Sequence, residues 1–363
     1  MQPDVIIVGA GIIGGSIAWR LAQQGFEAQL IDAGTMGGEA SWAGAGMLAP
    51  GGELGARASW AASALESMAL YPDFIAALEE ESGVSIDFQC QGAIELAASA
   101  ADLEELEARA EAQQTLGIRS SKLTEGEVPG MLPVAMSGMA GARFYPDDAA
   151  VDPRDVMQAL RSACTRRGVQ IREGLRAQAV RAGRDSAAVV TPEETVEARV
   201  VVLAAGAWTG RIAANPHHLP PSFPVRGHLI GFRLPAGSLG RMLRCGHTYV
   251  LQRSNGFTIA GSSSEQVGFD RQLDSGILQD IHARAGNLLP MLASRQPDEA
   301  WLGFRPGVEG DCPVVRRMEN TSVWLAYGHY RNGILLAPAT ARRVAAEIMA
   351  SSGTGSSVGP GKH

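Results

Sequence analysis

The six residues Gly9-Ala10-Gly11-Ile12-Ile13-Gly14 constrain this chain more than any other segment, because of what stands on either side of them. Val5-Ile6-Ile7-Val8 is an unbroken apolar run, the pattern of a parallel strand buried on both faces. Beyond the glycines, Ile17, Ala18, Leu21 and Ala22 recur at helical spacing, Gly25 stands at the helix C-cap, and Ala28-Gln29-Leu30-Ile31 repeats the strand character. The segment therefore reads as strand, tight turn, helix, strand. Gly9, Gly11 and Gly14 give the turn its sharpness, let the backbone approach a pyrophosphate, and bring helix and sheet together, while the helix N-terminus attracts phosphate charge. Asp32 ends the second strand, where a carboxylate accepts hydrogen bonds from an adenosine ribose and disfavours a 2′-phosphate. These features predict a dinucleotide site and do not by themselves separate NAD from FAD.

Farther along, the apolar period is helical from 57 to 81, with Pro72 expected to break or kink the segment. Ile86, Phe88, Ile94 and Leu96 alternate like a strand, and residues 102 to 116 form an acidic helical run. Asp152-Pro153 reads as an N-cap with proline at the first helical position, opening a helix that carries Val156, Leu160 and Cys164. Val200-Val201-Val202-Leu203 is a second buried parallel strand, and the proline-rich stretch from 216 to 224 reads as a connection. Strands follow at 229–232, 249–251 and 257–260, the last two joined through Ser254-Asn255-Gly256. Val323-Trp324-Leu325-Ala326 and the helical run 334–348 restore the strand-then-helix order.

The fold class expected is α/β: a Rossmann-like nucleotide-binding domain of discontinuous segments, 1–80, 145–215 and 300–350, plus an α+β substrate domain with an antiparallel sheet from 81–144 and 216–299. Residues 351–363, rich in Gly and Ser, are expected to form a disordered tail. Thirty-one Lys and Arg against 38 Asp and Glu, a net charge of −7 with no basic block, argue against a nucleic-acid partner. Cys90, Cys164, Cys245 and Cys312 lack any metal-site spacing and read as isolated buried or half-buried thiols. The absence of a signal-peptide pattern and of a long apolar run predicts a cytoplasmic protein without a membrane partner, compatible with a homo-oligomer.

Three stretches narrow the cofactor. Ala40-Ser41-Trp42-Ala43-Gly44-Ala45-Gly46-Met47-Leu48-Ala49-Pro50 resembles the flavin-contacting loop of the glycine oxidase branch of the D-amino acid oxidase family. Val202-Leu203-Ala204-Ala205-Gly206-Ala207-Trp208 is similar to that family's second nucleotide-contacting strand and turn. Gly328-His329-Tyr330-Arg331-Asn332-Gly333-Ile334-Leu335-Leu336-Ala337-Pro338-Ala339-Thr340 resembles the C-terminal signature of its thiamine-biosynthetic members. The resemblance runs from the first strand to the last helix. Physically, the small residues Ala43 to Gly46 allow backbone to approach a flat ring, and a helix from Ile334 would present its N-terminus to the electron-rich pyrimidine end of a flavin.

The resemblance implies FAD, held by Gly9, Gly11, Ile12, Ile13, Gly14, Asp32, Ala33, Ala40, Ser41, Ala45, Gly46, Met47, Gly206 and the run His329, Tyr330, Arg331, Asn332, Gly333, Ile334, Leu335, with a backbone contact near Ala177. It makes Arg305 the clamp on a substrate carboxylate, a task suited to a planar fork of two parallel donors. Without the resemblance, an arginine before Pro-Gly reads as a surface-loop residue. Tyr249 is implied to help hold the same carboxylate, though it reads equally as a half-buried strand aromatic. Arg331 matches a second arginine at the site, or else serves only to neutralise reduced flavin. His329 is open to two readings, a base or a backbone contact. Ser264, at a position that borders the pocket in relatives, and His228, in place of a family glutamine, depart from the family pattern and are expected to widen or re-polarise the pocket.

The implied reaction is oxidation of glycine, or of another small primary or secondary amino acid, by FAD and dioxygen to a 2-oxo acid, ammonia and hydrogen peroxide, in the service of thiazole formation for thiamine. Hydride transfer to the flavin requires no certain acid–base residue, and no metal. Sarcosine or D-amino acid oxidases, dehydrogenases of the same family, and a non-catalytic FAD-binding protein are the alternatives.

Overall fold

The computed structural model describes residues 2–55, 59–124, 126–131, 138–215, 217–310 and 312–352. The expected helix start at Arg57, Pro216 of the proline-rich stretch, and residues 353–363 of the expected tail lie outside them. Two large sheets organise the chain. The first has six strands in the order Val314–Arg317, Val323–Tyr327, Val200–Leu203, Val5–Val8, Ala28–Ile31, Gln170–Arg172, all parallel except the edge strand Val314–Arg317. Its strands alternate between two apolar cores, as period two requires of a sheet covered on both sides. Val5, Ile7, Leu30 and Val202 face helices Ile12–Gln23, Pro153–Arg166, Ala61–Ser82 and Gly333–Ser351. Ile6, Val8, Ile31, Val201 and Leu203 face a four-stranded sheet built from residues 179–215.

Most expected elements stand close to where the sequence put them. Asp152 caps its helix by accepting the Arg154 amide at 2.9 Å, and the helix buries Val156, Leu160 and Cys164. Gly25, at φ +82°, follows the first helix by one residue more than a C-cap, and its amide reaches the Ala22 carbonyl. Pro72 does not break its helix, which runs unbroken from Ala61 to Ser82; Tyr71, its neighbour, is fully buried and bonds the Ile334 carbonyl. The strand expected around Ile86 to Leu96 is two strands in different sheets, Phe88–Gln89 and Ala93–Ala97, separated at Gly92 with its positive φ. Part of the proline-rich connection is strand: Ser222–Arg233 passes through Pro224. Cys90 and Cys312 are exposed, unlike Cys164 and Cys245; both lie outside the apolar cores that would have buried them.

The second large sheet has eight strands, in the order Glu299–Val308, Ser222–Arg233, Phe257–Gly261, Thr248–Gln252, Met242–Cys245, Ala93–Ala97, Gly141–Tyr145, Ser121–Leu123. Every pairing is antiparallel but that of Met242–Cys245 with Ala93–Ala97. One face packs on helix Ser275–Leu288 through Ile230, Phe232, Val250 and Ala260. The opposite face, through Leu229, Tyr249, Leu251, Ile259 and Trp301, packs on Ala43, Ala45 and Ala49 of the loop that follows the first βαβ unit. Strand alternation thus aims Tyr249 at the small-residue loop. The same parity carries from Trp301 through Gly303 to Arg305, which lies in a strand and not in a surface loop.

Candidate active site

A cavity of about 460 Å³ lies where the two sheets meet. Its dinucleotide end is made of backbone. Gly9, at φ +103°, is pressed against the end of strand Val200–Leu203 so closely that a Cβ would stand 2.3 Å from the Ala204 carbonyl oxygen. Gly11, Ile12 and Ile13 line the wall beside it, but Gly14 does not. Gly14 acts from behind: a Cβ there would fall 1.9 Å from the Gly9 oxygen, so the residue sets the approach of helix to turn. The Asp32 carboxylate accepts the Ala10 and Gly34 amides, each at 2.8 Å, and with Ala33 lines the cavity. Ala177 and Gly206 are also in the wall, joined by Leu175 and Gln178 from a segment with little pattern in sequence.

The middle of the cavity is bounded by Ala40, Ser41, Ala45, Gly46 and Met47. Ser41 Oγ accepts the Ile12 amide at 2.9 Å and so ties this loop to the first helix. Sequence reasoning missed the side chain that secures the far side. Arg253, only 3% exposed, donates to the Val151 carbonyl at 2.7 Å and to the Ala45 carbonyl, clamping the loop from beneath; no local motif announces it. Trp301 Nε1 donates to the Ala43 carbonyl at 3.0 Å from the neighbouring strand.

His329, Tyr330, Arg331, Asn332, Gly333 and Ile334 close the cavity, with the uncapped N-terminus of the 19-residue helix Gly333–Ser351 opening toward it. Leu335 faces the apolar core instead, at 1% exposure. The His329 imidazole meets Thr340 Oγ1 at 3.1 Å, and burial pulls its pKa down to about 3. It is a neutral, buried ring at ordinary pH, which suits a structural contact better than a base.

At the substrate end, Arg305 and Tyr249 line the cavity together. Gly227 makes room for the guanidinium, since a Cβ there would lie 2.2 Å from Nη1. Arg305 donates to the Ser263 carbonyl at 3.0 Å, the Arg226 carbonyl at 3.4 Å and Ser262 Oγ at 2.9 Å. All three acceptors are neutral. Burial, reinforced by nearby Arg331, pulls the guanidinium below its ordinary pKa while Tyr249 opposes the shift, yet the group stays charged as arginines do. A half-buried cation with dipolar partners only has the chemistry to take up an anion. Arg331, by contrast, is paired with Glu53 at 3.1 Å.

Two expected positions fall elsewhere. Ser264 is exposed, outside the cavity lining, and its hydroxyl meets Tyr330 Oη at 3.2 Å; Ser262, just past the end of strand Phe257–Gly261, lines the cavity in its place. His228 is fully buried behind the site, where Nδ1 approaches Glu265 at 2.9 Å and Nε2 accepts the Asp274 amide at 3.2 Å. It therefore neither widens nor re-polarises the cavity wall.

The glycine turn, the ribose-side acid, the small-residue loop and the helix N-terminus form a continuous wall for a dinucleotide ending in a flat ring, and the half-buried Arg305 stands beyond it. That arrangement defines a flavin-dependent oxidoreductase. The chain belongs to the family of FAD dependent oxidoreductases called DAO, whose model matches residues 4–347. It is 32% identical over 345 residues to a glycine oxidase of Geobacillus kaustophilus, covering 94% of this chain and 92% of that one. It is 33% identical over 356 residues to the bifunctional protein ThiO/ThiG of Synechocystis, covering 95% of this chain and 51% of that protein. Among solved structures, the crystal structure of glycine oxidase from Geobacillus kaustophilus superposes with a TM-score of 0.91 at 30% identity, covering 96% of this chain and 95% of the other. The cofactor is FAD. No helix among the described residues is long and apolar enough to cross a membrane.

Proposed function

We propose that this chain is a glycine oxidase, converting glycine, dioxygen and water to glyoxylate, ammonia and hydrogen peroxide. The observation that carries the reading is Arg305, a half-buried cation at the cavity wall whose hydrogen-bond partners among the described residues are all neutral. A substrate carboxylate would complete its coordination, and the planar fork would fix the carboxylate's orientation as well as its charge. Tyr249, buried beside it, has a hydroxyl that burial keeps protonated and so able to donate to the same carboxylate. FAD supplies the two-electron acceptor. The protein's contribution is to hold the substrate α-carbon toward the ring. The resemblance to glycine oxidases, and to about half of the bifunctional protein ThiO/ThiG, supports glycine as substrate and a role in thiazole formation for thiamine.

The test is the visible spectrum of the purified holoprotein, mixed with glycine first without oxygen and then with it. Bleaching of the flavin band, its return in air, and one peroxide per glycine consumed are expected. Bleaching by sarcosine or a D-amino acid but not by glycine would move the substrate assignment while leaving cofactor and fold in place.

A further inference from the structure

Two arginines stand at the substrate end, and the structure treats them differently. Arg305 has no carboxylate partner among the described residues, whereas Arg331 pairs with Glu53. Glu53 and both arginines line the same cavity, and Arg305 lies close enough to feel the charges of Arg331 and Glu53. Among Arg305, Arg331 and Glu53 the net count is one cation available to a ligand.

Glu53 does not reach Arg331 by chance of a mobile side chain. It ends the short helix Pro50–Glu53, which buried polar groups from distant segments hold in place. The Gly51 amide donates to Asp148 Oδ1 at 3.0 Å, and Asp148 is itself held by Arg244 Nη1 at 2.6 Å. Gln113, fully buried, donates to the Gly51 carbonyl at 2.9 Å and to the Leu54 carbonyl at 2.7 Å. These hydrogen bonds restrain the backbone of the short helix, although Gln113 Oε1 and Arg244 Nε of the same network find no partner. The backbone that carries Glu53 is therefore placed on folding, and its carboxylate pairs with Arg331 in the absence of any ligand.

From this we infer that Glu53 determines specificity by charge: it neutralises Arg331, so that the cavity accepts ligands with one carboxylate and refuses those with two. A second carboxylate entering a partly buried site would meet a carboxylate in place of a free guanidinium, losing its water without gaining a partner. With Glu53 neutral, Arg331 would offer that partner. The inference rests on the proposed binding of a carboxylate at Arg305.

The experiment uses the holoenzyme and ligands that lack an amine, so that any contact of Glu53 with a substrate amino group does not enter. Dissociation constants for glycolate, malonate and succinate are read from the perturbation of the flavin spectrum, for wild type and for Glu53→Gln. The quantity compared is the affinity of the tighter dicarboxylate relative to glycolate. A rise of fivefold or more in Glu53→Gln is expected, and a smaller change overturns the inference. If Glu53→Gln does not retain FAD, Arg331→Gln decides, because it leaves Glu53 unpaired and should lower the same ratio by fivefold or more; a smaller fall overturns the inference. Failure of wild type to bind glycolate and to bleach with glycine would instead count against the proposed function, so the two failures are distinct.

Discussion

The two ends of the cavity are built from different materials. The dinucleotide end is backbone, shaped by Gly9 and Gly14 within a single turn and backed by Ala204 of the adjacent strand. The substrate end is side chain, assembled from Tyr249, Ser262, Arg305 and Arg331, which reach one place from three strands or strand ends and a helix entry. Backbone sites tolerate almost no added volume, because the neighbour is another backbone that cannot move aside. Side-chain sites tolerate volume changes but not changes of charge or donor count. The two ends should therefore fail in different ways when mutated.

The largest effect is expected from Gly9→Val. Its Cβ would overlap the Ala204 carbonyl, and its positive φ is costly for a β-branched residue, so the protein should be recovered without FAD. The measurement is visible flavin absorbance per mole of purified chain; a fully yellow variant would dissolve the contrast between the ends. Next comes Arg305→Ala, which should keep its FAD yet lose at least about a hundredfold in kcat/KM for glycine, through a charged bidentate contact worth about 3 kcal/mol. Loss of flavin together with activity would show that the two ends are not separable.

A smaller effect separates the closing loop from the chemistry. His329 has its pKa pulled from 6.5 to about 3 by burial, so the unfolded chain binds more protons than the folded one between those values. Stability from this residue is complete above pH 6.5 and declines as pH falls toward 3. Between pH 6.5 and 5 the wild type should lose about 2 kcal/mol more than His329→Gln, as measured by urea unfolding at the two pH values. Equal losses would remove His329 as the buried, neutral ring described. The smallest effect is expected at Ser264. Being exposed and bonded only to Tyr330 Oη at 3.2 Å, its change to alanine should shift KM for glycine by less than about threefold, within roughly 0.5 kcal/mol. A tenfold shift would draw Ser264 back into the substrate end.

The same contrast explains what could be read from sequence. Gly9 to Gly14 and Asp32 declare themselves because a backbone site is local: the glycines, the strand before and the helix after lie within about 20 residues of one another. Gly333 and the helix behind it are legible for the same reason. Arg305 could be placed only by resemblance, since its local context, Arg-Pro-Gly, suggests a loop, and its strand exists only through pairing with Ser222–Arg233. Ser262 and Ser264 differ by two residues in a run of three serines, and which of them faces the cavity depends on the turn after Phe257–Gly261, to which periodicity gives no clue. Arg253 and the Glu53–Arg331 pair went unread because contacts between segments far apart in the chain leave no periodic trace. The partners are single residues distant along the chain.

The order of strands in the six-stranded sheet has a consequence for how the holoprotein comes into being. Val5–Val8 is synthesised first, but one of its two neighbours, Val200–Leu203, arrives nearly two hundred residues later, and the next strand out, Val323–Tyr327, later still. Such long-range pairing makes for slow closure. The cavity wall itself draws on residues from Val8 to Ile334, so a growing chain has the nucleotide motif long before it has a place to keep the nucleotide. Cofactor capture is then a late event of synthesis, not an early template for it, and chains stalled on the ribosome short of Gly333 should stay colourless when FAD is supplied.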